Sequence, residues 1–515
     1  MTMKFVQTSK SVRRIISAAI VICLASVSLS GCQSPKMQGS AVNPDTLKLS
    51  WTTVLYTAKP PSDTVIKEIE KETNTDLSIV WVPDNLKEDK LNIALASGSL
   101  TQIVTVQDIK SSAFLSSVRT DTFWEIGPYL HEYSNLSRMD ETILNNTSID
   151  GKIYGIYRER DLSRQGVIYR KDWLEHLSLQ PPDDLESLYG IIKAFTNDDP
   201  DGNGIADTYG LTDRNDLKFG AFQTLASYFG SPNEWGLKDG MLQPEFMFDA
   251  YRETMKFMRH LYEEKLMNAQ FAVTSKQQQW DDFIEGKAGV YIGNLDDARN
   301  LQAAAIRNNP EVELDMINRI KGPDGAPHVW SQAGHNGMFV FPKSEVKTVE
   351  ELKQILSFFN RLGDPELYNL LNYGIEDVHY QIKSNGEMEL LPDDGIQWEQ
   401  EVRPLISLMG MSNPTLKLFG DPLRDKSDQL NKDNKTFVVQ NPAEALESST
   451  QNERGTELKT IIHNAVYLYI LGKIDDKGFD DAITKWKQSG GEQVMKEINE
   501  AYHFQEAQLR DQPIH

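Results

Sequence analysis

Cysteine is nearly absent from this 515-residue chain, which carries only Cys23 and Cys32. Two residues so close to the start can build neither a disulfide framework nor a thiolate metal centre for the remainder of the chain. The body of the protein must therefore be held by core packing, with at most a metal to help. Catalytic signatures are absent as well: there is no G-x-S-x-G elbow, H-E-x-x-H, G-x-x-x-x-G-K-[ST] or G-x-G-x-x-G. The nine histidines are scattered, and 75 acidic residues are too many for a catalytic pair to be picked out. Positive charge is in deficit, leaving a net −22. That balance argues against nucleic acid, whose phosphates need a basic footprint, and against lying flat on anionic lipid. Taken alone, the charge describes a solvated exterior. Long apolar runs are missing too. The one candidate, residues 15–27, is shorter than the roughly 20 residues a spanning helix needs.

That short run has a context. Lys4, Lys10, Arg13 and Arg14 precede it, no acid occurs before Cys32, and Leu29-Ser30-Gly31-Cys32 comes after it. A basic start, an apolar core and a small-residue site make a secretory signal over residues 1–31. The ending resembles the bacterial lipobox, in which a cysteine thiol, the best side-chain nucleophile, takes up lipid and the chain is cut before it. More than one acyl chain, such as palmitate, makes the anchoring stable. The plain alternative is an ordinary signal peptide with a cysteine nearby. Cleavage before Cys32 leaves 484 residues; the leader takes four positive charges with it, so the remainder stands near −26. That length suits two domains. Residues 32–45, rich in Ser, Gly, Pro and Asn, read as a flexible spacer.

Beyond the spacer the pattern alternates. Strand spacing runs from Leu47 through Trp51 to Tyr56, a helix carries Val65, Ile66 and Ile69, and residues 77–82 form a second strand. A helix over residues 87–97 is stopped by Gly98, and residues 103–106 form a third strand. This βαβαβ order predicts a parallel α/β sheet. Helical stripes come next at Leu185, Leu188, Ile192 and Phe195, opened by Asp183 with Glu186, and at Met247, Tyr251, Met255, Met258 and Tyr262, read as core filler. Residues 288–292 and 337–341 read as strands, and Thr348 with Glu351 opens a helix. Residues 424–455 are polar and read as a long surface excursion. The chain ends in helices over residues 458–471, 479–486 and 494–502.

The sharpest motif is Asp199-Pro-Asp201-Gly-Asn203-Gly204-Ile205-Ala-Asp207. Oxygen side chains fall at loop positions 1, 3, 5 and 9, Gly at 6 allows the tight turn, and the Ile205 carbonyl would serve at 7. This is the oxygen cage that Ca²⁺ requires, in a structural role. It departs from the EF-hand at position 12, where Gly210 replaces a bidentate Glu; a metal-free Asx turn is the alternative. Aromatics give the second signal. Several of the nine tryptophans stand beside polar or Gly-rich segments, among them Trp51, Trp235 and Trp330. A flat aromatic matches the C–H face of a sugar ring, and polar side chains match its belt of hydroxyls.

Segments spread along the chain then resemble a known family, the lipoprotein solute-binding subunits of Gram-positive carbohydrate ABC importers (family 1 type). They are Leu95-Ala-Ser-Gly98, Asp150-Gly-Lys-Ile-Tyr-Gly155, Tyr169-Arg-Lys-Asp-Trp173-Leu, Pro181-Pro182, Asp199 through Gly210, Phe229-Gly-Ser-Pro-Asn233-Glu-Trp235, Phe283-Ile-Glu-Gly-Lys-Ala288-Gly, Tyr373-Gly-Ile-Glu376-Asp-Val-His-Tyr380, Tyr469-Ile-Leu-Gly472, and Trp486 with Gly490-Gly491. The resemblance covers most of residues 46–505. It implies a two-lobed, periplasmic-binding-protein-like (type II) α/β fold, with the chain crossing between lobes more than once. Sugar binds in the cleft, the lobes close about a hinge, a Ca²⁺ loop is present, and the loaded protein docks on ABC permease subunits. Asp377 stands where a Gly is expected, and residues 424–455 match poorly.

The expected organisation is a lobe of residues 46–165 with 332–395 and a second of residues 166–331 with 396–515. The expected function is capture of an oligosaccharide by a monomer tethered to the cell membrane through Cys32, on the extracellular face, with no chemistry of its own. Candidate ligand contacts are Trp51, Tyr56, Trp235, Asn294, Trp330, His335 and Tyr373. Tyr56 and Asn294 come directly after strands, beyond whose carboxyl ends ligands sit in such sheets. Candidate metal ligands are Asp199, Asp201, Asn203, Ile205 and Asp207. A surface polysaccharide-degrading enzyme and an adhesion lipoprotein remain the rivals, and peptide cargo stays open.

Overall fold

The computed structural model describes residues 46–391, 396–413, 416 and 419–511. The signal, the linker and Cys32 lie outside the described residues. From Leu47 onward the chain forms one compact unit built on two separate sheets.

The first sheet has five strands, in the spatial order Thr75–Pro83, Leu47–Leu55, Ile103–Val106, His335–Val340 and Gly155–Glu159. The first three are parallel, and His335–Val340 runs antiparallel to both its neighbours. The predicted βαβαβ start is therefore present, with the helix Lys87–Ser97 ending at Gly98 in the left-handed region. The second sheet is Leu314–Ile317, Gln165–Arg170, Ala288–Asn294 and Tyr209–Thr212. Each sheet has its own core. Trp51, Ile103, Phe339 and Phe359 fill the first; Trp173, Phe195, Met255 and Met258 belong to the second.

The helix Val349–Leu362 starts as read, with Thr348 Oγ1 accepting from Glu351 N. The helix Leu185–Asn197 starts one residue later than read. Asp184 is its cap and Ser187 returns the bond, closing the box. Asp377 has φ 63°, the left-handed conformation for which glycine was expected.

Two readings need correction. Residues 396–411 pack on the first sheet, because Val402, Leu405 and Leu408 belong to the same core as Trp51. The boundary at residue 395 therefore moves toward residue 412. Residues 424–455 are not a loose excursion. They hold most of the helix Pro422–Asn434 and the start of Ser449–Ile470. Their polar content misled because it is used inside. Asn434 is buried and donates to the carbonyls of Gln165 (2.9 Å) and Ser163 (3.3 Å). Asn431 donates to Asp296 (2.9 Å).

Among the described residues no helix is long and apolar enough to cross a membrane.

Candidate functional site

Strand directions bring two sheet edges together. Leu47–Leu55 and Ile103–Val106 are parallel, so Tyr56 and Gln107 leave the first sheet on the same edge. His335–Val340 begins on that edge, and Gly155–Glu159 ends there. In the second sheet Tyr209–Thr212 and Ala288–Asn294 are parallel, and Gln165 pairs with Asn294 at their carboxyl ends. The short connection of residues 160–164 therefore joins the two carboxyl edges. Ligands in open α/β sheets sit at that location. A second crossing runs alongside: Arg160 N donates to Gly334 O (2.9 Å) and Gln332 N to Leu162 O (2.6 Å). A third is tied in where Ser412 N donates to Glu159 Oε2 (2.7 Å). Gly337 has φ 83°, and a Cβ there would lie 2.1 Å from Val106 O, so only glycine lets the returning strand approach.

On the first edge the Tyr56 hydroxyl accepts from Arg158 Nη1 (3.1 Å), Asn336 Nδ2 (3.2 Å) and the Gln107 amide. His335 Nδ1 accepts from Gly337 N (3.1 Å), so Nε2 carries the ring proton, and that buried Nε2 has no partner. Burial, with Lys110 nearby, pushes the His335 imidazole down to about 4, which keeps it neutral.

On the second edge a turn succeeds Tyr209–Thr212. Asp216 Oδ1 accepts from the backbone N–H groups of Lys218 (3.1 Å) and Phe219 (3.0 Å). That turn presents both side chains over Trp330, with the Phe219 ring 5.8 Å and the Lys218 ammonium 5.8 Å from the indole. Lys218 Nζ meets Glu234 Oε1 at 2.5 Å. Asn441 Nδ2 donates to Glu234 Oε2 (3.2 Å) and to Glu444 Oε2 (3.3 Å). Glu444 holds Lys110 of the first edge at 2.9 Å. One side-chain chain, Lys218–Glu234–Asn441–Glu444–Lys110, thus runs from one edge to the other. Burial pushes the Glu234 carboxyl up, but Lys218 first, then Lys110 and Lys459, more than offset this and hold it below its ordinary value. Glu245 accepts from Gln223 Nε2 (2.7 Å) and Glu234 N (2.9 Å), and burial pushes its carboxyl up to about 7. Lys218, Glu234, Trp235, Glu245, Lys459 and His463 lie around a cavity of about 290 Å³. That is at the lower limit of small-molecule pockets, about 300 Å³.

Of the predicted contacts, Tyr56, Trp235 and His335 reach this region. Asn294 is at the edge, but its Oδ1 turns back to accept from Asp296 N (3.1 Å), beside the helix Asp297–Ala305. Trp51 is not a ligand contact. It is fully buried, edge-on to Phe339 (5.0 Å) and Phe359 (5.3 Å), because it occupies an inward position of a central strand. Tyr373 is also interior, packed edge-on to Tyr380 in a small satellite cluster. Trp330 is at the site but fully buried beneath Phe219 and Lys218, with Nε1 donating to Thr224 Oγ1 (3.1 Å). It is the floor, and the 43 % exposed Phe219 is the accessible ring. Sequence reasoning missed Phe219, Lys110, Lys218, Glu234 and Lys459. The signal for Phe219 and Lys218 was their place just past a strand's carboxyl end.

The loop of residues 199–207 lies apart from this region. Gly202 and Gly204 have φ 68° and 77°. Asp199 Oδ2 accepts from Gly204 N (3.0 Å), while Asp199 Oδ1 is buried without a partner. Asn203 Nδ2 stands between Asp201 Oδ2 (2.8 Å) and Asp207 Oδ1 (3.4 Å). Burial raises the Asp201 carboxyl, and the charges of Asp207 and Asp199 add to the rise. Among the described residues no group of three His, Cys, Asp or Glu side chains closes to metal-holding geometry. Asn203 Oδ1 and the Ile205 carbonyl accept from backbone N–H groups of the loop, and the orphaned Asp199 carboxylate oxygen is the group that fits a hard cation.

Comparison with known proteins agrees with this architecture. Residues 59–360 match the family model for bacterial extracellular solute-binding proteins. The chain is 48% identical over 492 residues to the polygalacturonan/rhamnogalacturonan-binding protein YtcQ of Bacillus subtilis (strain 168), covering 95% of this chain and 98% of that one. It is 37% identical to lipoprotein LipO of the same organism, over 93% and 97% of the two chains. A solute-binding protein from Bifidobacterium longum infantis, described as associated with an HMO-binding ABC transporter, shares the fold, with a TM-score of 0.66 and 16% identity over 89% and 99% of the chains. The chain belongs to the bacterial extracellular solute-binding protein family.

Proposed function

We infer that this protein captures acidic oligosaccharides outside the cell and delivers them to an ABC importer, without chemistry of its own. The observation that carries the reading is the placement of Lys218 and Lys459 on one cavity, linked through Glu234, Asn441 and Glu444 to Lys110, beside an accessible Phe219, in a chain of net charge −22. Cations gathered at one place on so acidic a protein suit an anionic ligand. The 48%-identical relative is named for polygalacturonan and rhamnogalacturonan, polymers that carry uronate carboxylates. Aromatic rings would take the sugar faces, and the neutral His335 would donate Nε2–H to a hydroxyl. The two edges would close on the ligand about residues 160–164 and 331–334.

The tether belongs to the same reading: Cys32 would carry lipid on the outer face of the membrane, holding a monomer beside its permease. Asp199, Asp201, Asn203 and Asp207, with the Ile205 carbonyl, would hold Ca²⁺, which when bound supplies a structural cross-link within the loop.

A thermal-shift screen tests the function. Oligogalacturonates at 100 times their Kd should stabilise the protein by about 2.7 kcal/mol. If neutral oligosaccharides stabilise it and oligogalacturonates do not, the acidic class is wrong. Turnover of any oligosaccharide would replace the receptor by an enzyme.

A further inference from the structure

The ion pairs at the cleft leave donors unspent. A lysine ammonium has three N–H donors. Lys218 spends one on Glu234 Oε1 (2.5 Å). Lys110 spends two, both on Glu444, at the carbonyl (2.5 Å) and at Oε1 (2.9 Å). Lys459 is exposed, lines the cavity and makes no ion pair or hydrogen bond among the described residues. Six N–H donors therefore stay available from three ammonium groups, two of them on the cavity and the third joined to it through Glu444 and Asn441. Their acids have other duties. Glu234 and Glu444 are tied to each other through Asn441, so each holds its lysine in place with part of a shared network. Glu234 is itself fixed by a left-handed backbone (φ 59°) and by its N–H donating to Glu245. Lys218 is steadied from below by the Trp330 face at 5.8 Å.

Resting on the functional reading above, we propose that Lys218 and Lys459, with Lys110 across the cleft, read the carboxylates of a uronate chain through these spare donors. Glu234 and Glu444 are positioning residues that hold two of the lysines aimed at the cleft before ligand arrives. Pre-aimed cations suit a ligand with charges at regular intervals, because less side-chain freedom is lost on binding. A neutral sugar of the same shape leaves the donors without a charged partner and gains little from them. Removing one charge-assisted hydrogen bond should weaken binding about tenfold.

The test compares trigalacturonate with its fully methyl-esterified form by titration calorimetry at low and high salt. The proteins are the full soluble chain and its Lys459→Met, Lys218→Met and double variants. Melting temperatures check that each variant is folded; Lys459 is exposed, so Lys459→Met keeps the test decisive if Lys218→Met is not. The expected result is that the wild type prefers the acid at least tenfold. Lys459→Met should lose about tenfold for the acid and nothing for the ester, and the salt dependence should become shallower. A wild type that prefers the acid while the variants keep that preference would overturn the lysine assignment and leave the acidic-sugar reading standing. Equal binding of acid and ester by the wild type would likewise remove the lysines as readers of charge. A wild type that binds neither would overturn the functional reading and this inference with it.

Discussion

Two aromatic residues, Trp51 and Phe219, separate the core from the cleft and can be tested against each other. Trp51 has the flat ring and polar edge suited to a sugar, yet it is fully buried among Phe339, Phe358 and Phe359. Trp51→Ala removes a large core side chain, which costs about 3–5 kcal/mol. Its Nε1–H also donates to Thr105 Oγ1 at 3.3 Å. That loss adds little, because the Thr105 hydroxyl keeps its bond to Thr53 Oγ1 (2.9 Å). For lobes of this size about 2–4 °C of melting temperature goes with each kcal/mol, so the fall should be roughly 6–20 °C. Ligand affinity of the folded protein should stay within a factor of about two. Phe219→Ala should behave oppositely. The ring is 43 % exposed and rests on Trp330 at 5.8 Å, so the melting temperature should change by no more than about 2 °C. Loss of one stacking face should cost about 1 kcal/mol of binding, a factor of about five. Calorimetric melting and ligand titration on both variants decide it. A Trp51→Ala protein that melts like the wild type but no longer binds ligand would refute the placement of the site.

The same geometry sets four further outcomes. Folded Glu245 titrates near 7 against an ordinary 4.5, so the folded state holds a proton that the unfolded state releases, and stability falls as pH rises from about 4.5 to about 7. Glu245→Gln should therefore raise the melting temperature at pH 8 and give no gain at pH 4.5. His335 and His463 are both pushed down to about 4 by burial, so the unfolded state takes up protons first, and stability is lost as pH falls from about 6.5 toward 4. Replacing His463 by Gln should flatten that part of a pH–melting curve. Calcium in excess of EDTA should raise the melting temperature of the wild type, and Asp201→Ala should abolish the response; an unchanged wild-type melt would count against the ion. Gly337→Ala would force a Cβ to within 2.1 Å of Val106 O at φ 83°, and should destabilise by about 1–3 kcal/mol or more in urea unfolding.

How much of this was legible in the sequence depends on the period of the signal. Alternation and i, i+4 spacing located Leu47–Leu55, Ile103–Val106 and Lys87–Ser97 to within a few residues, because burial on one face imposes those periods. The same signal could not tell Trp51 from a cleft residue. An inward position on a central strand and a ligand-facing position beyond it are both occupied by an aromatic next to polar neighbours. Residues 424–455 failed for the opposite reason. Asn431 and Asn434 look like surface residues, but they satisfy backbone and carboxylate groups at the crossing between the sheets, where an apolar side chain would leave those groups unpaired. The cleft lysines were invisible because a lysine's meaning lies in what it faces. Lys110 and Lys459 are more than 300 residues apart in sequence and come near one carboxylate, Glu234, because several crossings hold the carboxyl edges of the two sheets together. Periodicity reports the layers of the fold, whereas ligand chemistry gathers where strands end and periodicity stops, so the site had to come from strand direction and register.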